Sequence, residues 1–87
     1  MKRITAELSL YPLTENHILL IKEFITRLNT YKELEINTNS ISTQIVGEHS
    51  RVFDIISKET AAIFSSGNPC VVVLKLLSLE LDVRKIY

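Results

Sequence analysis

Along the first strand-length of chain, Ile4, Ala6, Leu8 and Leu10 alternate with Thr5, Glu7, Ser9 and Tyr11. A period of two predicts a strand with one buried face, and Pro12 is expected to stop it. After Thr14, with Glu15 in the first turn, Ile18, Ile21, Phe24, Ile25 and Leu28 recur at helical spacing and predict a helix running to about Tyr31. Two short β-branched runs follow, Glu35 to Asn39 and Ile41 to Val46, with Asn39-Ser40 as turn residues between them; the pattern predicts a hairpin closed by Gly47. Val52, Phe53, Ile55, Ile56, Ala62 and Ile63 mark a second amphipathic helix ended by Ser65-Ser66-Gly67, and Asn68-Pro69 leads into a last strand at Cys70-Val71-Val72-Val73.

The order strand, helix, strand, strand, helix, strand in 87 residues predicts one α+β domain of the ferredoxin-like βαββαβ type spanning residues 1–87. In that arrangement the first and third strands lie side by side at the centre of an antiparallel sheet, and both helices cover one face. With Ile4, Ala6, Leu8 and Leu10 toward the helices, Glu7 and Ser9 point to the open face, and the parity of the third strand sends Ser42 and Gln44 there as well. In the tail, Leu77, Leu79, Leu81 and Val83 alternate with Ser78, Glu80, Asp82 and Arg84. That alternation predicts a last strand that outruns its neighbours and is covered by a second subunit through edge pairing or exchange of the tail. The other arrangement it allows is a separate short strand folded back on its own domain.

Composition narrows the function. Ten Lys plus Arg balance ten Asp plus Glu, and 46% of residues are apolar, which describes a globular domain and argues against a phosphate-tracking nucleic-acid partner. A domain this small buries only about 60% of its unfolded surface, so a homodimer or homotetramer is expected. No run of about eighteen apolar residues is present, and Thr5, Glu7 and Ser9 leave no apolar segment after Met1-Lys2-Arg3; the expected location is cytoplasmic, with no membrane contact. Cys70 has no cysteine to pair with and is expected to act as a small buried hydrophobe. His17 and His49 lack metal-ligand spacing, and His49 reads as an exposed residue of the second helix's first turn. No acid, base and nucleophile converge at motif spacing, so catalytic residues, metal and cofactor are all expected to be none, and the chain is not expected to be an enzyme. An RNA-recognition domain would display stacking aromatics where this sheet offers Glu7, Ser9, Ser42 and Gln44.

Two stretches carry a family resemblance. Ala6-Glu7-Leu8-Ser9-Leu10-Tyr11-Pro12-Leu13, followed by Asn39-Ser40-Ile41-Ser42-Thr43-Gln44-Ile45, Gly47-Glu48 and Val52-Phe53, resembles the thiamine/hydroxymethylpyrimidine-binding domains of the YkoF-like type. The resemblance implies a ferredoxin-like domain, assembled into dimers or larger oligomers, that binds thiamine or its hydroxymethylpyrimidine moiety without transforming it. Some members carry two such domains in tandem, whereas this chain has one. The residues supply a chemistry for such a ligand. An aminopyrimidine presents an amine donor beside a ring-nitrogen acceptor, which the Glu7 carboxyl group matches when protonated, or meets as an ion pair when the ring is protonated. Ser9, Ser42 and Gln44 are expected to add donors and acceptors, and Tyr11 to stack on a flat or cationic ring. Asn39 and Thr43 are further candidates. The competing expectation is an oligomerisation or regulatory module whose polar sheet face is only a subunit interface.

Overall fold

In the computed structural model, which describes residues 2–84, the elements are β1 (Arg3–Pro12), α1 (His17–Leu28), β2 (Glu35–Thr38), β3 (Thr43–Glu48), α2 (His49–Phe64) and β4 (Cys70–Leu77). The strands form one antiparallel sheet in the order β2-β3-β1-β4, with β1 and β3 at its centre, as the ferredoxin-like pattern requires. Ile4, Ala6, Leu8 and Leu10 meet Phe24 and Leu28 of α1 and Val52, Ile55, Ile56 and Ile63 of α2 in a single core. Thr5, Glu7, Ser9 and Tyr11 therefore lie on the open face. Among the described residues, no helix is long and apolar enough to cross a membrane.

Several boundaries differ from the pattern. Helix α1 begins at His17 and ends at Leu28, shorter at both ends than expected, and Asn16, not Thr14, occupies its N-cap position. Ile18, placed on the apolar stripe by spacing, is mostly exposed in the first turn of α1. Strand β1 runs through Pro12, which pairs with Cys70 at the last position of the ladder, where Leu13 N–H takes over by donating to Pro69 O. Strand β3 starts at Thr43, because residues 39–42 form a loop held by Asn39, and Ile41 is left 81% exposed. His49 packs against Phe53 with ring centroids 5.0 Å apart.

Gly47 continues β3 instead of ending it, pairing with Ile4. The absence of a side chain matters there: a Cβ would stand 2.6 Å from Leu34 Cδ2 and 3.2 Å from Val52 Cγ2, where α2 crosses the strand. Gly47→Ala is expected to cost about 1–3 kcal/mol by overpacking. Chemical denaturation checks this, and an unchanged midpoint would show that Leu34 moves aside freely. Gly67, at φ 85°, reverses the chain after α2 as its position predicts.

The tail corrects the sequence reading most. Strand β4 ends at Leu77 and does not continue, and residues 78–84 form neither an extension nor a strand of their own. They turn back over the open face of the same domain. Thr5 Oγ1 donates to Leu79 O at 2.8 Å and accepts from Leu81 N–H at 2.9 Å, while Arg3 Nε bonds Glu80 Oε2 at 2.5 Å. Hydrogen bonds to the Thr5 side chain hold this segment in place of a ladder, while Leu79 and Leu81 stay about half exposed.

Candidate functional site

The register places a polar row across the open face. Glu7 of β1 stands opposite Gln44 of β3 and Lys75 of β4, and Gln44 stands opposite Asn37 of β2. Side chains directly opposite on one face are close enough to bond, and here they join end to end. Asn37 Nδ2 donates to Gln44 Oε1 at 3.1 Å, Gln44 Nε2 donates to Ser42 Oγ at 2.9 Å, and Ser42 Oγ donates to Glu7 Oε2 at 2.9 Å. Lys75 Nζ stands 3.4 Å from the other carboxylate oxygen of Glu7. The hydrogen bond from Ser42, then the bond and charge of Lys75, hold the Glu7 carboxyl below its ordinary range, so it is ionised at neutral pH. Of the expected polar cluster of Glu7, Ser9, Ser42 and Gln44, three are joined by hydrogen bonds, Ser9 turns instead toward Ile41 O, and Glu7 is an anion.

Ser42 also faces a second space. Where β1 and β3 meet the β2–β3 loop and α1, a cleft of about 200 Å³ has Leu8, Leu10 and Phe24 among its walls, and its polar lining includes Thr38 and Ser40 as well as Ser9, Tyr11, Asn39, Ser42 and Thr43. Its shape is set by the loop. Asn39 Oδ1 accepts from the backbone N–H groups of Ile41 at 2.8 Å and Ser42 at 3.0 Å, and Asn39 N–H donates to Ser42 O at 3.0 Å. This side-chain-closed turn holds the connection open beside the cleft without a tight hairpin. Below it, the Thr38 and Thr43 hydroxyls are 3.0 Å apart, and Ser9 Oγ reaches toward Ile41 O at 3.5 Å. Tyr11 is half exposed at the rim.

Of the residues singled out from the sequence, Ser9, Tyr11, Asn39, Ser42 and Thr43 thus line one cleft. Glu7 and Gln44 do not; they line a groove of about 210 Å³ on the open face, with Thr5, Lys75, Leu77, Leu81 and Val83. Ser42 is the link between the two. Sequence reasoning missed Asn37, Thr38 and Lys75. The signal for Lys75 was a lone cation within the apolar run from Val71 to Leu77, whereas Asn37 and Thr38 became visible only through the β2–β3 register. Among the described residues, no group of His, Cys, Asp and Glu is arranged to hold a metal ion.

Fold and site together define an α+β ferredoxin-like domain with a small, apolar-walled and polar-lined cleft at one end of its sheet. The chain belongs to the YKOF-related family, whose model matches residues 3–76, from the start of β1 nearly to the end of β4. Among solved structures, it is similar to a Thermotoga maritima protein provisionally assigned to thiamine biosynthesis/salvage, with 13% identity, a TM-score of 0.83, and coverage of 93% of this chain and 90% of that one. A Streptococcus pneumoniae protein matches at 20% identity and a TM-score of 0.81, covering 97% and 93% of the two chains. A hypothetical protein of Methanocaldococcus jannaschii matches at 21% identity and a TM-score of 0.76, covering 98% and 87%. These likenesses establish the shared fold. No curated protein matches the chain.

Proposed function

We propose that this protein is a non-catalytic binding protein for thiamine or its hydroxymethylpyrimidine moiety, acting in uptake or salvage of the vitamin in the cytoplasm. The observation that carries the reading is the convergence of Ser9, Tyr11, Asn39, Ser42 and Thr43 on one cleft with apolar walls, the arrangement expected of a site for a flat heteroaromatic ring. The fold shared with the Thermotoga maritima protein supports it. In this reading Leu8, Leu10 and Phe24 cover the ring faces, the loop groups bond its edge, and Tyr11 stacks at the mouth on the ring or the thiazolium.

The same reading includes a homodimer or homotetramer. Strand β4 is an edge strand, and Val71, Val73 and Leu77 lie exposed on its open face beside the folded-back tail, a surface suited to a second copy. Isothermal titration with thiamine and with hydroxymethylpyrimidine, alongside light scattering, tests both parts. Saturable heat near one ligand per chain is expected, and Ser42→Ala is expected to weaken it roughly tenfold through the lost hydrogen bond. A folded oligomer that gives no heat with either ligand would overturn the binding reading in favour of an assembly module.

A further inference from the structure

We propose that the groove between α1 and α2 is a ligand site in its own right, on the side of the molecule away from the polar row, and that it takes a free α-amino acid with an apolar side chain. The inference is independent of the pyrimidine reading, since the groove shares only Phe24 with the strand-end cleft.

The groove holds about 200 Å³. An apolar cavity of about 150 Å³ accepts benzene, so a side chain of that size fits with room for a polar head. Its apolar walls are Leu20 and Phe24 of α1 and Ala62 and Ile63 of α2. Because β1 and β3 are antiparallel and each helix returns along the strand before it, the two helices run in opposite directions. Leu20 and Ser66 therefore lie at one end of the groove, and Arg27 and Glu59 at the other. At the Leu20 end, Ser66 spends its hydroxyl hydrogen on Ile63 O at 2.6 Å, and no charged group lines the wall.

Charge gathers toward the other end. Glu59, 1% exposed, is met by Arg27 Nε at 2.5 Å and by Arg27 Nη2 at 3.5 Å. A guanidinium carries five N–H donors in a planar fork, so one hydrogen on Nη2 and both on Nη1 stay unspent, an edge that matches a carboxylate bidentately. The buried Glu59 thus fixes the orientation of Arg27, whose outer edge is exposed at the groove. Glu23 lies one turn before Arg27 on the same side of α1, also lines the groove, and makes no ion pair among the described residues. An unspent cationic edge and an unspent carboxylate stand one turn apart beside an apolar channel. Their complement is a carboxylate and an ammonium on one carbon that also bears an apolar group. An amine alone leaves the guanidinium edge unmatched, and a carboxylate alone meets the like charge of Glu23.

The test is a titration of the folded protein, followed by two-dimensional amide NMR, with L-leucine, with isoamylamine, which lacks the carboxylate, and with isocaproate, which lacks the ammonium. Leucine is expected to give saturable shifts on the facing turns of α1 and α2 with a Kd of roughly 1 mM, and each analogue to bind roughly tenfold more weakly or worse. Glu23→Gln is expected to narrow the gap between leucine and isocaproate to less than about threefold, because the amide no longer attracts the ammonium or repels the acid. Ala62→Leu is expected to fill the channel and weaken leucine by roughly tenfold or more. Both positions are exposed on their helices and both replacements are good helix formers, so the variants fold. No saturable shift in folded wild type, an analogue that binds as tightly as leucine, or an unchanged leucine affinity in Ala62→Leu would each overturn the inference, and none of these outcomes bears on the pyrimidine reading.

Discussion

Arg27→Met is expected to unfold roughly 10–20 °C below the parent at neutral pH and to recover part of that loss on acidification. The reason is Glu59. Its side chain is 1% exposed between α1 and α2, where Arg27 Nε donates to Oε1 at 2.5 Å and the Tyr31 hydroxyl donates to Oε2 at 2.5 Å. Burial by itself raises the Glu59 carboxyl, but the hydrogen bonds from Arg27 and Tyr31 outweigh it and leave it below its ordinary range. In the parent, a depressed carboxyl contributes stability above the unfolded-state pKa and loses it as pH falls through the folded-state value. Without Arg27, burial dominates and the sign reverses. The variant then holds a stranded carboxylate, at a cost of about 3 kcal/mol, that protonation relieves. Thermal melts across mildly acid to neutral pH check this, and a loss that is the same at every pH would refute it. Glu59→Leu provides the contrast. Arg27 is more than half exposed and stays solvated when its partner is replaced, so this variant is expected to lose much less at neutral pH.

Ile45→Ala is expected to cost about 3–5 kcal/mol, enough to unfold much of the population of a domain whose total stability is roughly 4–13 kcal/mol. Ile45 is fully buried in β3, and the register sets it directly opposite Ala6 of β1. Ala6 has no side chain with which to fill the space that the substitution opens, and Ile36 on the other flank is held by its own pairing in the short β2. The cavity therefore collapses little, which places the cost at the upper end for a large-to-small change. Denaturant titration measures it, and a loss below about 1.5 kcal/mol would mean that the helices settle onto the sheet.

Both predictions separate what a sequence displays from what it conceals. Ile45 was legible, because alternation places it with Thr43 on the helix-facing side and the structure buries both. Glu59 was not singled out, although it sits on the same stripe of α2 as Val52, Ile55, Ile56 and Ile63. A carboxylate on a buried stripe is a signal in itself, but its meaning depends on Arg27 and Tyr31, which belong to a distant part of the chain. The candidate site divides in the same way. Residue types and family resemblance drew attention to Glu7, Ser9, Tyr11, Asn39, Ser42, Thr43 and Gln44, and the structure distributes them between a cleft and an open-face groove joined by Ser42.

By itself, the sequence determined the element order, the buried face of β1 and of the two helices, and membership of a ferredoxin-like architecture. Those properties follow from local periodicity, and periodicity survives without knowledge of any partner. Only the tertiary structure decided the course of the tail, the direction of the Asn37–Gln44–Ser42–Glu7 chain and the pairing of Glu59 with Arg27. An alternating tail is compatible with any surface that offers one apolar side, and Thr5, more than seventy positions away, supplied the hydrogen bonds that chose this one. Hydrogen-bond direction likewise has no local signature, since it is set by which acceptor a hydroxyl meets across strands.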